Sequence, residues 1–271
     1  MFLSTYHPQP ILLELGPVTI HWYGLLLALS AVAGFFLLLR LAKPHHIDTN
    51  TLYDLFVALV IGGFLGGRLY HVSNEWTYYR AHAGEILKVW NGGLAIHGAI
   101  LVGVLITWYI AKRKKISFGL LLDLLAPALV LGQVIGRWGN YFNQELFGGP
   151  TNLPWKLVID EAHRPSGYLT QQFFHPTFLY ESLGSLVVLV LVLWLLRTRE
   201  QRRPWASWWT TPGSIFATYL FTESIVRIIV ELFRIDRVPV MYGVRLPILV
   251  SGGLILLASY LLVHLRSRAK R

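Results

Sequence analysis

No cysteine occurs anywhere in the 271 residues, which excludes disulfides, thiolate-metal centres and a nucleophilic cysteine supplied by this chain. Charge is also scarce. Asp, Glu, Lys and Arg make up 14% of the residues, against about 25% in an ordinary soluble domain, while 54% are hydrophobic and the mean hydropathy is +0.51. The first eighteen residues hold neither Lys nor Arg. The basic start of a cleavable signal peptide is therefore missing, and the first apolar run, long enough to span a bilayer, is expected to persist as a helix.

What is present is apolar length. Crossing a bilayer as a helix takes about 20 apolar residues, and seven runs qualify, at roughly 19–41, 52–72, 93–111, 118–136, 177–196, 213–232 and 246–264. The second and sixth each carry an arginine. Of the 24 Lys and Arg, 14 fall on one side of a seven-span arrangement: Arg40, Lys43, Lys112, Arg113, Lys114, Lys115, Arg197, Arg199, Arg202, Arg203, Arg266, Arg268, Lys270 and Arg271. Basic loops mark the cytoplasmic face. The expected fold is thus an all-α polytopic membrane protein with seven transmembrane helices, the N-terminus outside and the C-terminus cytoplasmic. The net charge of +10 follows from this topology and from anionic lipid beside it, so no nucleic-acid partner is implied.

The chain reads as a single seven-helix membrane domain, residues 1–271, whose outer segments 73–92 and 137–176 form a small extracytoplasmic cap. Turn residues in "GGPTNLP" and "RPSG" flank "WKLVI" and "YLTQQFF", which predict short strands there. Glycines four apart, Gly62 with Gly66, Gly63 with Gly67 and Gly132 with Gly136, predict close helix packing and no chemistry.

Ionisable groups are costly in hydrocarbon and tend to face a cavity or a partner. On this topology Tyr23, Arg68, His71, His97, Arg137, Asn140, Asn143, Glu145, His175 and Glu181 all fall toward the outer side. In "TESIVRIIVELFR", Glu223, Arg227, Glu231 and Arg234 share one helix face. Asp123 is the exception, near the inner end of the fourth run. Each group also has a plainer reading: i,i+4 neutralisation for Glu223, Arg227 and Glu231, packing for His97, an interfacial belt for Tyr23, snorkelling for Arg68 and His71, and a helix start for His175-Pro176. Convergence at one depth favours a site. Arginine forks bind phosphate and stay charged when desolvated, so the economical ligand is a phospholipid held beside Arg137 and Arg227, with a small soluble anion as the competing idea.

The stretch "GRWGNYFNQELFGG", Gly136 to Gly149, resembles the signature of bacterial prolipoprotein diacylglyceryl transferases, and "HWYG", "GGLAIHG", "HPTFLYE" and "RIIVELFR" extend the similarity nearly end to end. The resemblance implies an enzyme of the bacterial inner membrane, multi-pass, acting at the outer leaflet. It would move the diacylglyceryl group of phosphatidylglycerol to the lipobox cysteine thiol carried by a prolipoprotein signal peptide, forming a thioether and releasing glycerol phosphate. It implies catalytic roles for His97, Arg137, Arg227 and Glu231, and substrate-binding roles for Tyr23, Asn140, Asn143, Glu145, Gly148, Arg234 and Glu223. His97 would serve as base or as positioner. Two positions depart from the family pattern: Tyr141 replaces a more usual phenylalanine, and Glu223 stands where relatives often carry a tyrosine, with Tyr219 a turn earlier as a candidate substitute. No cofactor and no metal site are expected; partners are the two substrates and membrane lipids. A transporter for an anionic solute is the alternative, and it predicts polar groups continuing to the inner face.

Overall fold

The computed structural model describes residues 2–16, 18–201 and 209–269. Among the basic residues used for orientation, Arg202, Arg203, Lys270 and Arg271 lie outside the described residues. In chain order the elements are helix α1 (Phe2–Thr5), strands β1 (Ile11–Leu15) and β2 (Val18–His21), helices α2 (Trp22–Ala42), α3 (Thr49–Asn74), α4 (Trp76–Tyr79), α5 (Ile96–Lys114) and α6 (Phe118–Phe142), strands β3 (Leu157–Val158) and β4 (Phe173–Phe174), helices α7 (Thr177–Glu200) and α8 (Ser214–Glu231), strands β5 (Val240–Met241) and β6 (Val244–Arg245), and helix α9 (Leu246–Ala269). Every expected apolar run has its helix. Six of them, among the described residues, are long and apolar enough to cross a membrane, namely α2, α3, α5, α6, α7 and α9. The expectation of seven is met only this far: α8 has 18 residues and carries Glu223, Arg227 and Glu231 within them, too much charge for the same test. Side chains such as Val187, Leu256 and Val263 stand exposed on these helices, which is the surface of a protein that lives in lipid.

The chain divides into two compact units, Met1–Leu38 with Asp123–Arg271, and Leu39–Leu122. In the smaller unit α3 packs on α5. A Cβ on Gly66 would lie 2.7 Å from the Gly98 carbonyl oxygen, and one on Gly62 would collide with Ile106. These glycines do serve close approach, as expected. Gly132 and Gly136 do not: a Cβ at either would meet nothing within 4 Å. Arg68 is buried and donates to the carbonyl oxygens of Glu85 (2.7 Å), Ile86 (2.8 Å), Gly92 (2.7 Å) and Gly93 (3.0 Å). Its task is to hold the segment after α4, not to snorkel.

In the larger unit, α6, α7 and α8 are tied near both ends. At one end the fully enclosed Asp123 of α6 accepts from Arg199 Nη1 of α7 (2.6 Å) and from the backbone N–H groups of Gly213 (2.9 Å) and Phe216 (2.8 Å). A helix start has N–H groups without intrahelical partners and a positive dipole end, so this carboxylate caps α8 from another helix while neutralising a buried guanidinium. That accounts for the one polar residue the outer-side pattern left aside. Between the ends, Ser182 Oγ donates to Val134 O (2.8 Å) and Ser185 Oγ to Glu223 Oε1 (2.7 Å). The two short strands expected around "WKLVI" and "YLTQQFF" are β3 and β4, antiparallel with Leu157 opposite Phe174. Tyr141, Phe147, Leu157, Ile159, Phe174 and Phe178 close a buried apolar cluster there.

Replacing Asp123 by Ala removes three acceptor contacts and leaves Arg199 buried without its counter-ion, a loss of about 3–5 kcal/mol. Thermal unfolding of the purified protein in detergent should show a lowered midpoint for Asp123→Ala and a smaller drop for Asp123→Asn, which can still cap. Equal midpoints for wild type and Asp123→Ala would refute the assignment.

Candidate active site

The other end of the same three helices gathers the charged residues. Glu181, buried near the start of α7, has Arg137 Nη2 of α6 at 2.6 Å and Arg227 Nη1 of α8 at 3.1 Å, both on its Oε1. Arg234 Nη1 lies 4.0 Å from its Oε2. Glu231, fully buried at the end of α8, has Arg227 Nη2 at 2.9 Å, close as an ion pair but not aligned as a hydrogen bond, and accepts from Arg245 Nε at 2.8 Å. Asp236 accepts from Arg234 Nε (2.8 Å) and Arg245 Nη2 (3.3 Å). Burial raises the Asp236 carboxyl, but the two guanidiniums outweigh it and hold the group below its usual range. Among the described residues this network sets four guanidiniums against three carboxylates, a surplus of one positive charge. Buried charges persist only when paired; here pairing is complete for the acids and still leaves Arg137 and Arg227 each about a quarter exposed.

The signature is mostly helix, and this corrects the expectation that the fourth span stops at 136: α6 runs through Arg137 and Asn140 to Phe142. It ends in a paired turn, Gln144 N–H to Tyr141 O (3.1 Å) and Glu145 N–H to Asn140 O (3.0 Å), with Gln144 at φ 50°. That is the Schellman termination, which usually has glycine at the left-handed position. A side chain there costs about 1–2 kcal/mol, and the Gln144 amide offsets it: it donates to Pro8 O (3.0 Å) and Asp160 Oδ2 (2.6 Å) and accepts from Asp160 N–H (2.7 Å). The Gln144 donor also holds the Asp160 carboxyl below the usual carboxylate range, against the effect of burial, with His7 Nδ1 on its other oxygen. The turn brings Glu145 back over the helix, where Asn140 Nδ2 (2.9 Å) and Asn143 Nδ2 (3.2 Å) both donate to its Oε1.

Beyond the turn the chain threads between the ends of α7 and α8. Gly148 N–H bonds His175 O (2.9 Å) and Gly149 N–H bonds Phe233 O (2.9 Å), so the signature's last glycines join the start of α7 to the segment that carries Arg234. Thr177 Oγ1 adds a bond to Leu146 O. At the entry to α2, Trp22 stacks on Phe142 at 4.5 Å, and the Tyr23 ring lies against Gly139, where any Cβ would strike it.

Arg137 and Arg227 border a cavity of about 140 Å³ that continues past Glu223 and Gln133 to Tyr219. Of the residues singled out from sequence, the structure therefore brings together Arg137, Arg227, Glu231, Arg234 and Glu223. Asn140, Asn143 and Glu145 form their own cluster and donate or accept among themselves, not to the arginines. Tyr23 and Gly148 shape the signature. His97 belongs to the smaller unit, exposed in the first turn of α5 with its ring 5.8 Å from Tyr70. Glu181, Arg245 and Asp236 belong to this network without a role from the sequence pattern. Glu181 was noticed as polar but assigned no role, though it is the hub; Arg245, in a hairpin strand before α9, gave only the signal of a lone arginine at a span boundary.

The chain matches the family model for prolipoprotein diacylglyceryl transferase over residues 10–264. It is 47% identical over 230 residues to a protein of Synechococcus elongatus, covering 84% of this chain and 78% of the relative. A Nostoc relative is 45% identical over 235 residues (87% and 81%) and one from Thermosynechococcus vestitus 40% over 269 residues (99% and 97%). All three carry the name phosphatidylglycerol–prolipoprotein diacylglyceryl transferase.

Two neighbouring glycines test the threading. A Cβ on Gly148 would sit 2.8 Å from His175 Cβ and 2.9 Å from Phe233 O, whereas one on Gly149 meets only Ile235 at 3.8 Å. Gly148→Ala should cost about 1–3 kcal/mol through overpacking, lowering the thermal midpoint, and Gly149→Ala should be tolerated. Equal effects of the two changes would show that the fit around Gly148 is not what matters.

Proposed function

Because the chain belongs to the prolipoprotein diacylglyceryl transferase family, we propose that it transfers the diacylglyceryl group of phosphatidylglycerol to the lipobox cysteine thiol of a prolipoprotein, forming a thioether and releasing glycerol phosphate. The observation that supports this most is the meeting of Arg137 and Arg227 on one oxygen of Glu181 at the mouth of a polar cavity. Two forks aimed at one point suit a phosphodiester.

The chemistry is transfer of carbon to sulfur. The thiolate attacks the glyceryl carbon bonded to phosphate; a C–S bond forms while the C–O bond breaks, and its electron pair leaves on the phosphate oxygen. A diester with one negative charge becomes a monoester with nearly two. Arg137 and Arg227 meet that growing charge with preorganised donors, an effect worth several kcal/mol per group in such sites. Glu231 orients Arg227, Arg234 extends the positive field, and Glu223 lines the lipid cavity. Asn140, Asn143, Glu145 and Gly148 hold the signature turn in shape, and Tyr23 packs over it where the lipid would lie. A thiol with pKa near 8.5 needs a base at neutral pH; by resemblance His97 takes that proton.

The reading places seven crossings in the bacterial inner membrane, with the N-terminus outside, the C-terminus cytoplasmic and the arginine cluster in the outer leaflet. Basic residues at the opposite helix ends, Arg40, Lys112, Arg113, Lys114, Arg197 and Arg199, support that direction. A transporter for an anionic solute fits less well. Its polar lining should continue along the helices, whereas in the larger unit Asp123 is fully enclosed by Arg199 and the start of α8.

Purified protein, phosphatidylglycerol and a lipobox peptide in detergent should give a peptide heavier by one diacylglyceryl group. Arg137→Ala should abolish this product while the protein stays folded; normal turnover by a folded variant would contradict the role. With His97 as base, His97→Gln lowers kcat about 10²-fold or more, and retention of most of the rate would transfer the proton step to a carboxylate.

A further inference from the structure

The cavity beside the arginine pair contains acceptors that the phosphate cannot use. Gln133 precedes Arg137 by four residues on α6, and Glu223 precedes Arg227 by four on α8, so each lies one turn further along the helix face that carries its arginine. Both line the cavity. Ser185 Oγ donates to Glu223 Oε1 at 2.7 Å, but Glu223 Oε2 is buried and accepts no hydrogen bond from the described residues. The Gln133 amide reaches the Tyr219 hydroxyl with Nε2 (3.4 Å), and its Oε1 is likewise buried without a partner among the described residues. Two enclosed acceptors of this kind are costly unless a donor meets them, and about 140 Å³ is far more than the roughly 15 Å³ a single water requires.

The donor lipid narrows the choice. Its ester and phosphate oxygens only accept, so with the phosphate between Arg137 and Arg227 the groups able to donate are the two hydroxyls of the head-group glycerol. They sit on adjacent carbons, and two acceptors wait one turn beyond the arginines. A thiol offers a single weak donor and leaves one acceptor unmet. We propose that Gln133 and Glu223 recognise the vicinal hydroxyls of the phosphoglycerol head group and so set the lipid selectivity of the enzyme. This deepens the reading given above and rests on its assignment of the phosphate to Arg137 and Arg227.

The test compares two donor lipids with matched acyl chains, phosphatidylglycerol and phosphatidylpropanol, whose head group keeps the three carbons and lacks both hydroxyls. With full-length protein and a lipobox peptide, wild type should favour phosphatidylglycerol at least tenfold in kcat/KM, and Glu223→Leu and Gln133→Leu should each bring that ratio close to one. Both lipids are measured on one preparation, so any loss of active protein cancels. A ratio unchanged in both variants, or rates lowered equally for both lipids, overturns the proposal and assigns Glu223 to the thiol or the phosphate. Should a variant fail to fold, wild type alone decides: glycerol 1-phosphate should inhibit at a concentration at least tenfold below propyl phosphate, and equal inhibition overturns the proposal. Wild type inactive with phosphatidylglycerol would instead remove the proposed function itself.

Discussion

A single buried carboxylate holds two arginines from different helices side by side, and the rest of the site depends on it. Arg137 and Arg227 would repel one another at this separation; Glu181 Oε1, 2.6 and 3.1 Å from them, offsets that repulsion with two closer attractions. In a poorly screened interior such an arrangement is strong and rigid. Glu231, ion-paired with both Arg227 and Arg245, draws Arg227 away from collapsing wholly onto Glu181. The outcome is a pair of forks held apart, partly exposed and one positive charge in surplus. Such preorganisation spares the reorganisation that water would have to undergo as charge builds on a leaving phosphate.

Keeping two guanidiniums in register requires helices that do not slide. The Asp123–Arg199 lock at the far ends of α6, α7 and α8 fixes their relative height, and the signature turn fixes the near ends by passing Gly148 and Gly149 between His175 and Phe233. The glycines, asparagines and Glu145 of the signature act mainly on backbone geometry. On the proposed function their contribution to chemistry is to place Arg137, since a displacement of about an ångström in a catalytic group can cost about 10²-fold in rate.

Much of the fold was legible because hydrophobic length is a direct demand of the bilayer: all seven apolar runs became helices, six of them extending past their expected ends. The signature was legible for a different reason, its dense order of glycine, arginine and asparagine. The hub was not. Glu181 has no partner on its own helix, and its ion pairs reach across 46 residues to Arg227. Arg245 meets Glu231 from a hairpin 14 residues away, and Asp123 caps backbone groups 90 and 93 residues distant, so neither pattern has a local period. The overrun of α6 was hidden because its termination uses Gln144 where glycine is the usual signal, and only the clasp to Pro8 and Asp160 makes that tolerable.

If Arg137 and Arg227 act as one grip through Glu181, their contributions to turnover are coupled. The direct measurement is a double-mutant cycle on kcat/KM for diacylglyceryl transfer with Arg137→Lys and Arg227→Lys, lysine keeping the charge but losing the fork. A shared grip predicts that the double variant is impaired little more than the worse single one, so that the product of the two single losses overshoots it by tenfold or more. Losses that simply multiply would mean that the two arginines work on separate groups, and the account would fail.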